Sequence, residues 1–596
     1  MLQGLNETWD LEKIFPGGSG SEAFAHFLDQ LAADIEHFHR DVADFPVISS
    51  ISQAGTLKRI FDQVQDMGAR LHESSAFVSC LTAQDVNDKR AVRLRGRLKE
   101  LAATEATSLT RLDAKLAEID DVVWGALLQD DQLAPIAFPL NERRRRAMEK
   151  MDPEQEAIVN DLEVDGYDAW SGLYDMVVGK MQVNVDTEGK TENLSISQAQ
   201  NRLSDPDRNV RQKVFEQYEE AWEEAADYAG EALNHISGFR LNVYKHRGWD
   251  SYLKEPLDIN RMTRATLDAM WEAIDRQKDT YVQYFDRKAN LLGVDQLAWY
   301  DVGAPIARSE EKVSFDEAAQ FVVKHFRQFS PDMADFAEKA LAKRWIEAED
   351  RFGKRPGGFC TSFPVTGETR VFMTFSGTKG NISTLAHELG HAYHQHVMRG
   401  VPYLAQRYAM NVAETASTFA EAIVSDAAVK EAATKEERLA LLEDKIHRSV
   451  TFFTNLRARF VFETRFYKER QKGLVSVERL NELMTEAQKE TFGGALSQYH
   501  PSFWASKLHF YITGTPFYNF PYTFGYLFSS GLYAKALQEG SGFAEKYVGL
   551  LRDTGRMTVE DLAAKHLDVD LQKPDFWEKG VGLAVDGIHE FLRETE

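Results

Sequence analysis

The stretch STLAHELGHAYHQH, residues 383–396, holds four of the 16 histidines in the 596-residue chain. Its pattern is typical of a helix, on which side chains four residues apart lie on one face. His387 and His391 can therefore bind one metal ion together, and Glu388 can reach a water molecule on that ion. The H-E-x-x-H pattern also occurs by chance, but it predicts two zinc ligands and a general base that takes a proton from the water.

A third ligand is needed, because catalytic zinc is commonly held by three protein groups. The metzincin extension fails, since His394 and Val397 stand where its glycine and third histidine belong. The next helical stretch, NVAETASTFAEAI, carries Glu414 and Glu421 seven residues apart on one face. We predict Glu414 as the third ligand of one zinc ion per chain. Glu421 is predicted to hold a ligand imidazole, with a surface position as the alternative. His394 shares a face with His391 and is a candidate for substrate contact.

A β-hairpin is predicted directly before this helix. GGFCTSFPVTGETRVFMTF, residues 357–375, has two short runs of aromatic and β-branched residues around a TGET turn. The segment SGTKGN then leads into the helix, with Ser383 or Asn381 as its N-cap. Residues 21–118 show repeated helical periodicity, and helical patterns resume after Ser204. The small number of prolines, 16, also favours long helices over many short strands.

A domain boundary is predicted near residue 195. The segment DTEGKTEN, residues 186–193, is polar, contains glycine and lacks periodicity, so we interpret it as a loop. Ser204 before DPD is typical of a helix N-cap, and helical patterns resume from there. The sequence is thus divided into an N-terminal helical domain, 1–195, and a catalytic domain, 196–596.

Composition limits the partners. The net charge of −23 argues against nucleic acid and against an anionic membrane surface. No apolar run reaches the 18 or so residues that span a bilayer. Two cysteines are not a disulfide framework, and the N-terminus does not resemble a signal peptide, so we expect a cytoplasmic protein. No obligate protein partner is evident.

An aromatic-rich segment, HPSFWASKLHFYITGTPFYNFPYTFGYLFSSGLY, begins at residue 500. Such stretches are more often core. Here glycine, proline, asparagine and threonine interrupt the pattern, so it does not indicate one buried helix. Tyrosine hydroxyls near zinc can stabilise an oxyanion, and a loop that contains glycine can close on a substrate.

The chain also resembles a known family. The matching segments are ETWDLEKIF near the N-terminus, LSDPDRNVRQ and YKHRGWDSYL in the middle, and GGFCTSFP, LAHELGHAYHQH, NVAETASTFAEAI and HFYITGTPFYNFPYTFG toward the C-terminus. The H-E-x-G-H-x-x-H form with a following helix that carries two glutamates is more specific than H-E-x-x-H alone. Together these segments resemble oligoendopeptidase F, within the thimet-oligopeptidase-like family of zinc metallopeptidases.

The resemblance implies a predominantly all-α fold, a two-lobed ellipsoid that encloses a deep substrate channel, with a small β-sheet beside the zinc site. It implies an endopeptidase that cuts short unstructured peptides, because the channel excludes folded proteins. It makes His387, His391 and Glu414 the zinc ligands and Glu388 the base.

The resemblance further places a histidine and the tyrosines that follow it near the scissile carbonyl. His509 and Tyr518 match best and are the predicted catalytic residues, while Tyr522 and Tyr526 are candidates for substrate contact. This segment departs from the family pattern, since ITGTP is longer than expected and Phe520 stands where a tyrosine often occurs.

Two other functions remain open from the sequence. A zinc carboxypeptidase of helical fold can share H-E-x-x-H and a third glutamate, and its products would be single C-terminal residues rather than internal fragments. A non-catalytic peptide-binding protein is the other alternative. The intact Glu388 argues against it, because a binding protein has no use for a base beside the ion.

Overall fold

The computed structural model describes residues 2–187, 190–306 and 312–596. The chain divides into two compact units, each built from three separate segments. The first unit comprises Met1–Lys150, Glu311–Ala427 and Lys535–Asp568. The second comprises Met151–Glu310, Ala428–Ala534 and Val569–Glu596. Residue 195 lies inside the second unit, so the predicted boundary is not where the chain passes between units. The division into an N-terminal domain, 1–195, and a catalytic domain, 196–596, stays a prediction.

Helices dominate the described residues, as predicted. They are α1 (Glu22–Ala43), α2 (Ala54–Gln84), α3 (Lys89–Ala117), α4 (Asp121–Leu127), α5 (Ala137–Met148), α6 (Pro153–Glu163), α7 (Ala169–Lys180), α8 (Ile196–Arg202), α9 (Arg208–His246), α10 (Lys254–Ile259), α11 (Arg264–Asp275), α12 (Lys278–Leu291), α13 (Phe315–Phe329), α14 (Pro331–Ala342), α15 (Lys379–Val397), α16 (Met410–Ala413), α17 (Thr415–Glu431), α18 (Lys435–Val450), α19 (Leu456–Arg470), α20 (Val477–Thr491), α21 (Phe520–Glu539), α22 (Phe543–Asp553), α23 (Val559–Leu567) and α24 (Pro574–Glu594). No described helix is both long enough and apolar enough to cross a membrane.

Sequence periodicity explains the helices well. In α1 the Ser21 hydroxyl accepts a hydrogen bond from the backbone N–H of Phe24 at 3.1 Å, which caps the first turn. Phe24, Leu28, Leu31 and Ile35 follow at helical spacing and are all buried. They belong to a hydrophobic core of the first unit that also contains residues of α2, α3 and α5.

The strands are few and short. They are β1 (Gln182–Thr187), β2 (Lys190–Ser195), β3 (Leu297–Ala298), β4 (Ile346–Glu347), β5 (Phe359–Phe363), β6 (Glu368–Phe372) and β7 (Leu496–Gln498). In the first unit they form one sheet in the order β4–β6–β5, with β5 antiparallel to β6 and β4 parallel to it. Strands β5 and β6 are the predicted hairpin, and β5 lies at the edge of the sheet.

The interpretation of residues 186–193 as a loop is wrong for the part that the structure describes. Strands β1 and β2 pair antiparallel there, with Gln182 opposite Ser195. Val183 and Val185 alternate with polar residues and are buried, which is the period-two pattern of a half-buried strand. The run was too short and too polar on its other face to predict a strand. Residues 188 and 189 lie outside the described residues.

The histidine helix α15 begins earlier than predicted. Its N-cap is Thr378 rather than Ser383 or Asn381. The Asn381 side chain folds back and accepts hydrogen bonds from the backbone N–H groups of Ser376 and Thr378, at 2.9 and 3.1 Å. The helix packs against β5 and β6 of the sheet and against α13, α14 and α22. The first unit thereby places the histidine helix beside the sheet.

Candidate metal centre

Three predicted ligands converge in the first unit. The metal-binding atoms of His387, His391 and Glu414 all lie within 4.8 Å of one another. Glu414 Oε2 lies 3.3 Å from His387 Nε2 and 3.4 Å from His391 Nε2. Two imidazole nitrogens and one carboxylate oxygen at these separations can hold one metal ion.

Gly390 allows the two ligand-bearing segments to approach each other. A Cβ atom at this position would lie 2.5 Å from the carbonyl oxygen of Ala416 and 2.7 Å from the Cα of Ser417. Both atoms belong to α17, which begins immediately after Glu414. The absence of a side chain at Gly390 therefore allows the close backbone contact that brings Glu414 to the two histidines.

Glu414 and Glu421 do not lie on one continuous helix, contrary to the prediction. The helical conformation is interrupted at Glu414, which lies between the end of α16 and the start of α17. The Ser417 hydroxyl donates a hydrogen bond to Glu414 Oε2 at 2.7 Å, which helps to hold the carboxylate in place. The break moves Glu414 off the regular helical position while Glu421 stays within α17.

Each of the two imidazoles has a further polar partner. Glu421 Oε2 lies 3.2 Å from His387 Nδ1, which is the contact predicted for Glu421. The backbone carbonyl of Ala413 accepts from the His391 imidazole. Hydrogen bonds at Nδ1 orient an imidazole and leave Nε2 free to bind a metal. Burial also lowers the pKa of His391 to about 4, which favours the neutral form that ligates metals.

Glu388 is a buried carboxyl group with one unsatisfied oxygen. Its side chain is only 7% exposed, and Oε2 has no hydrogen-bond partner among the described residues. Burial, reinforced by Glu414, raises its pKa to about 7. A Cβ atom at Gly358 would lie 3.1 Å from Glu388 Oε1, so the glycine that precedes β5 makes room for this carboxyl group.

The three ligands and Glu388 line one cavity of about 480 Å³. Its other walls include residues 358–362, most of which belong to edge strand β5, and the side chains His72, Gln395 and Tyr408. The sequence analysis missed these three side chains. His72 lies on α2, some 300 residues before the ligand helix, and no local pattern distinguishes it from the other polar residues of that helix. Only the packing of α2 on β5 brings it to the cavity.

His394 does not take the predicted place. Its side chain is fully buried, with Nε2 2.9 Å from the Thr554 hydroxyl and 3.2 Å from the Leu551 carbonyl oxygen. Its ring stacks on Tyr408, with 4.4 Å between centroids. Burial lowers its pKa to about 3, so the imidazole is a neutral core group. This environment argues against substrate contact by His394.

The predicted histidine and tyrosines lie in the second unit. The His509 ring centroid is 5.5 Å from that of Tyr518 and 6.3 Å from that of Tyr522. Tyr526 instead stacks on Phe452 at 4.5 Å. The residue before Tyr518, Phe517, has a φ of 53°, a left-handed conformation that is uncommon for a bulky side chain. The rings of His509, Tyr518 and Tyr522 thus form one cluster. The roles of these residues at a scissile carbonyl stay predictions.

A helical fold with an H-E-x-x-H helix, a more distant glutamate beside its two histidines and a buried carboxyl group next to them is typical of a metallopeptidase of the helical class. The comparisons with known proteins agree. The chain belongs to peptidase family M3, since the model described as "Peptidase family M3" matches residues 202–583. The model described as "Oligopeptidase F" matches residues 115–182.

Individual relatives are distant in sequence but similar over their length. The chain is 22% identical to the oligopeptidase PepF of Bacillus subtilis (strain 168) over 586 residues, which is 96% of this chain and 84% of that protein. The crystal structure of a putative peptidase from Chlamydophila abortus matches with a TM-score of 0.85 and 20% identity, covering 100% of this chain and 99% of that one. Oligoendopeptidase F from Enterococcus faecium matches with a TM-score of 0.69 and 16% identity, covering 96% and 99%. The solved structures share the fold.

Proposed function

We propose that this chain is a zinc-dependent endopeptidase that hydrolyses internal peptide bonds of short unstructured peptides. One observation carries the proposal. The candidate ligand atoms of His387, His391 and Glu414 converge in a cavity where one carboxylate oxygen of Glu388 has no hydrogen-bond partner within the described ranges. Membership of peptidase family M3 supports the reaction class.

Zinc is the metal that these residues fit. Two histidines and one glutamate are a donor set of catalytic zinc sites, and it leaves a fourth position for water or substrate. The contact of Glu421 with His387 Nδ1 and the backbone hydrogen bond between Ala413 and His391 fit the same role. We infer one zinc ion per chain, held by these three side chains.

Glu388 is the proposed general base. Glu388 lines the metal cavity, and its Oε2 accepts no hydrogen bond from any residue that the structure describes, so it is available to accept the proton of an attacking water. When bound, zinc supplies a Lewis acid that lowers the pKa of the water and polarises the scissile carbonyl. After protonation, the Glu388 carboxyl group can donate the proton to the leaving amine, which completes the hydrolysis.

Edge strand β5 supports an extended peptide as the substrate. Residues 358–362 line the cavity together with the ligands, and β5 pairs with a strand on one side only within the described sheet. A peptide that adds to a sheet edge is held mainly through backbone hydrogen bonds. Such binding requires an unfolded segment and depends little on its side chains. We therefore expect broad specificity and no cleavage of native folded proteins.

His509 and Tyr518 are the proposed donors to the oxyanion that forms on the scissile carbonyl, with Tyr522 and Tyr526 as further groups that contact the substrate. Their mutual clustering in the second unit and the resemblance of their segment to the family support the first three residues. A cytoplasmic location is part of the proposal. It is supported by Cys80 and Cys360, which are both free thiols.

The experiment compares purified protein with Glu388→Gln on a mixed library of short peptides, with and without a chelator. Mass spectrometry of the products should show internal cuts that the chelator abolishes. Glu388→Gln should retain its zinc and lose about 10²–10⁴-fold in turnover, because a carboxamide cannot accept the proton. Glu224→Gln removes the same charge at an exposed position of α9 and should leave the rate unchanged.

The outcome separates the alternatives. Release of single C-terminal residues would assign a carboxypeptidase. Peptide binding without any metal-dependent cleavage would assign a binding protein. Near-normal turnover by Glu388→Gln would remove Glu388 from the role of base.

A further inference from the structure

A second charged cluster lies outside the metal centre, in the second unit. Arg459 on α19 and Lys507 both contact the ring of Phe503, with Cζ 5.1 Å and Nζ 4.8 Å from its centroid. Phe503 is only 2% exposed, so the ring presents an apolar surface to both cations. Two positive side chains that share one ring repel each other, and they concentrate positive charge at one place in a chain whose net charge is −23.

Neither cation forms a salt bridge within the described part of the chain. Arg459 donates to the side-chain oxygens of Asn455 and Asn519, each at 3.0 Å, and both of these groups are neutral amides. Glu463, one turn further along α19, interacts instead with another arginine and with a backbone N–H. The Lys507 ammonium group has no hydrogen bond or ion pair to any residue in the described ranges, although the Lys507 backbone carbonyl accepts from the Phe510 N–H at 3.1 Å. Partly buried cations without a counter-charge are costly, and a bound anion would remove that cost.

His509 experiences the same positive field. Its pKa is lowered to about 4, mainly by burial and then by Arg459 and Lys507. Its Nδ1 is buried without a hydrogen-bond partner among the described residues. Burial and the neighbouring Arg459 likewise lower the pKa of Lys507 to about 7. An anion placed among these groups would restore their protonated forms.

We propose that Arg459 and Lys507 form a binding site for a carboxylate of the peptide substrate, an inference that rests on the proposed function. A guanidinium group binds carboxylate through a planar pair of N–H donors, and an ammonium group adds a point charge with three donors. Asn455 and Asn519 fix the guanidinium orientation. A peptide offers such a carboxylate at its C-terminus and on acidic side chains.

The test measures kcat/KM for matched fluorogenic peptides. One pair differs only in a free C-terminal carboxylate against a C-terminal amide. A second series is amidated and differs only in Glu against Gln at each position after the cleaved bond. We expect the unmodified protein to prefer the carboxylate form in one of these comparisons by about 10- to 100-fold, as for hydrogen bonds to charged groups. The comparison that shows the preference identifies the source of the carboxylate.

Two variants test whether the named residues cause that preference. Lys507→Met keeps the apolar stem on the Phe503 ring and removes the charge, and Arg459→Gln removes the guanidinium group. Each should reduce the preference to within about threefold of unity, mainly by weakening cleavage of the carboxylate peptide. Lys507→Arg should retain the preference. Lys468→Met, which removes an exposed lysine of α19, should behave as the unmodified protein. Melting temperatures establish that each variant is folded.

Calorimetric binding of the same peptides to the Glu388→Gln variant provides a measurement that does not require turnover. A carboxylate preference in binding, without hydrolysis by the unmodified protein, would refute the proposed function and leave this site standing. Metal-dependent hydrolysis with no carboxylate preference in either comparison would overturn the site alone. A preference that persists in both Lys507→Met and Arg459→Gln would overturn it as well.

Discussion

Replacing Gly390 by alanine tests whether close packing of two helices builds the metal centre. The new methyl group would lie 2.5 Å from the Ala416 carbonyl oxygen, 2.7 Å from the Ser417 Cα and 2.9 Å from the Ala416 carbonyl carbon. All three atoms are backbone, so no side-chain rotation can relieve the clash. We expect α17 to move away from α15 and to carry Glu414, two residues before Ala416, away from the ligand histidines.

The magnitude follows from these distances. Ordinary van der Waals contact begins near 3.4 Å, so the backbone must retreat by about 1 Å. Metal–ligand distances tolerate only about 0.2 Å, and a displacement of this size removes Glu414 from effective ligation. We expect zinc affinity to fall by at least the 10- to 100-fold that is typical of losing a supporting partner. The overpacking should also lower the free energy of unfolding by about 1–3 kcal/mol. The higher helix propensity of alanine offsets at most about 1 kcal/mol of this loss.

The assay is competition for zinc between the protein and a chromophoric chelator, combined with thermal unfolding with and without zinc. Unfolding of the metal-free protein reports the packing cost alone, and the rise in Tm on adding zinc reports binding. Gly380→Ala is the matched control, because it lies in the first turn of the same helix and its nearest neighbour is the Thr378 hydroxyl at 3.8 Å. It should leave zinc affinity unchanged. Unaltered zinc affinity in Gly390→Ala would refute the argument that this glycine positions Glu414.

Three further predictions concern single side chains. His391→Ala removes a proposed ligand, so zinc should be lost on dialysis, and full zinc content by metal analysis would contradict the assignment. Glu421→Gln weakens the contact at His387 Nδ1, and we expect about 10- to 100-fold weaker zinc binding in the chelator competition; an unchanged affinity would make Glu421 irrelevant to the site. Tyr518→Phe and His509→Ala should each lower kcat by about 10²–10³-fold with little change in KM, since an oxyanion donor acts mainly in the transition state. If these rings only pack, kcat will hold in both variants while the melting temperature of His509→Ala falls.

The local patterns of the sequence were sufficient to predict the histidine helix α15 and the hairpin β5–β6 beside it. H-E-x-x-H spacing fixes two imidazoles on one helical face whatever surrounds the helix, because the 3.6-residue period is a property of the backbone. The alternation of aromatic and β-branched residues around TGET likewise predicted β5 and β6, because short-range pairing and turn chemistry determine a hairpin. Glu414 was predicted from the next helical stretch and from its spacing to Glu421 on one helical face. The structure interrupts that helix at Glu414, so the spacing argument was wrong, although the Glu414 carboxylate lies beside the two histidines.

Only the tertiary structure decided what each polar side chain faces. His394 lies one turn beyond His391 and has the same chemistry, yet α22 and Tyr408 bury it completely. His72 lines the metal cavity although nothing in α2 marks it. Burial and charge pairing depend on contacts between residues far apart in the chain, and a local pattern carries no information about them. The sequence by itself therefore determined which metal-binding and proton-accepting side chains the protein contains. Long-range packing determined which of those side chains line the metal cavity.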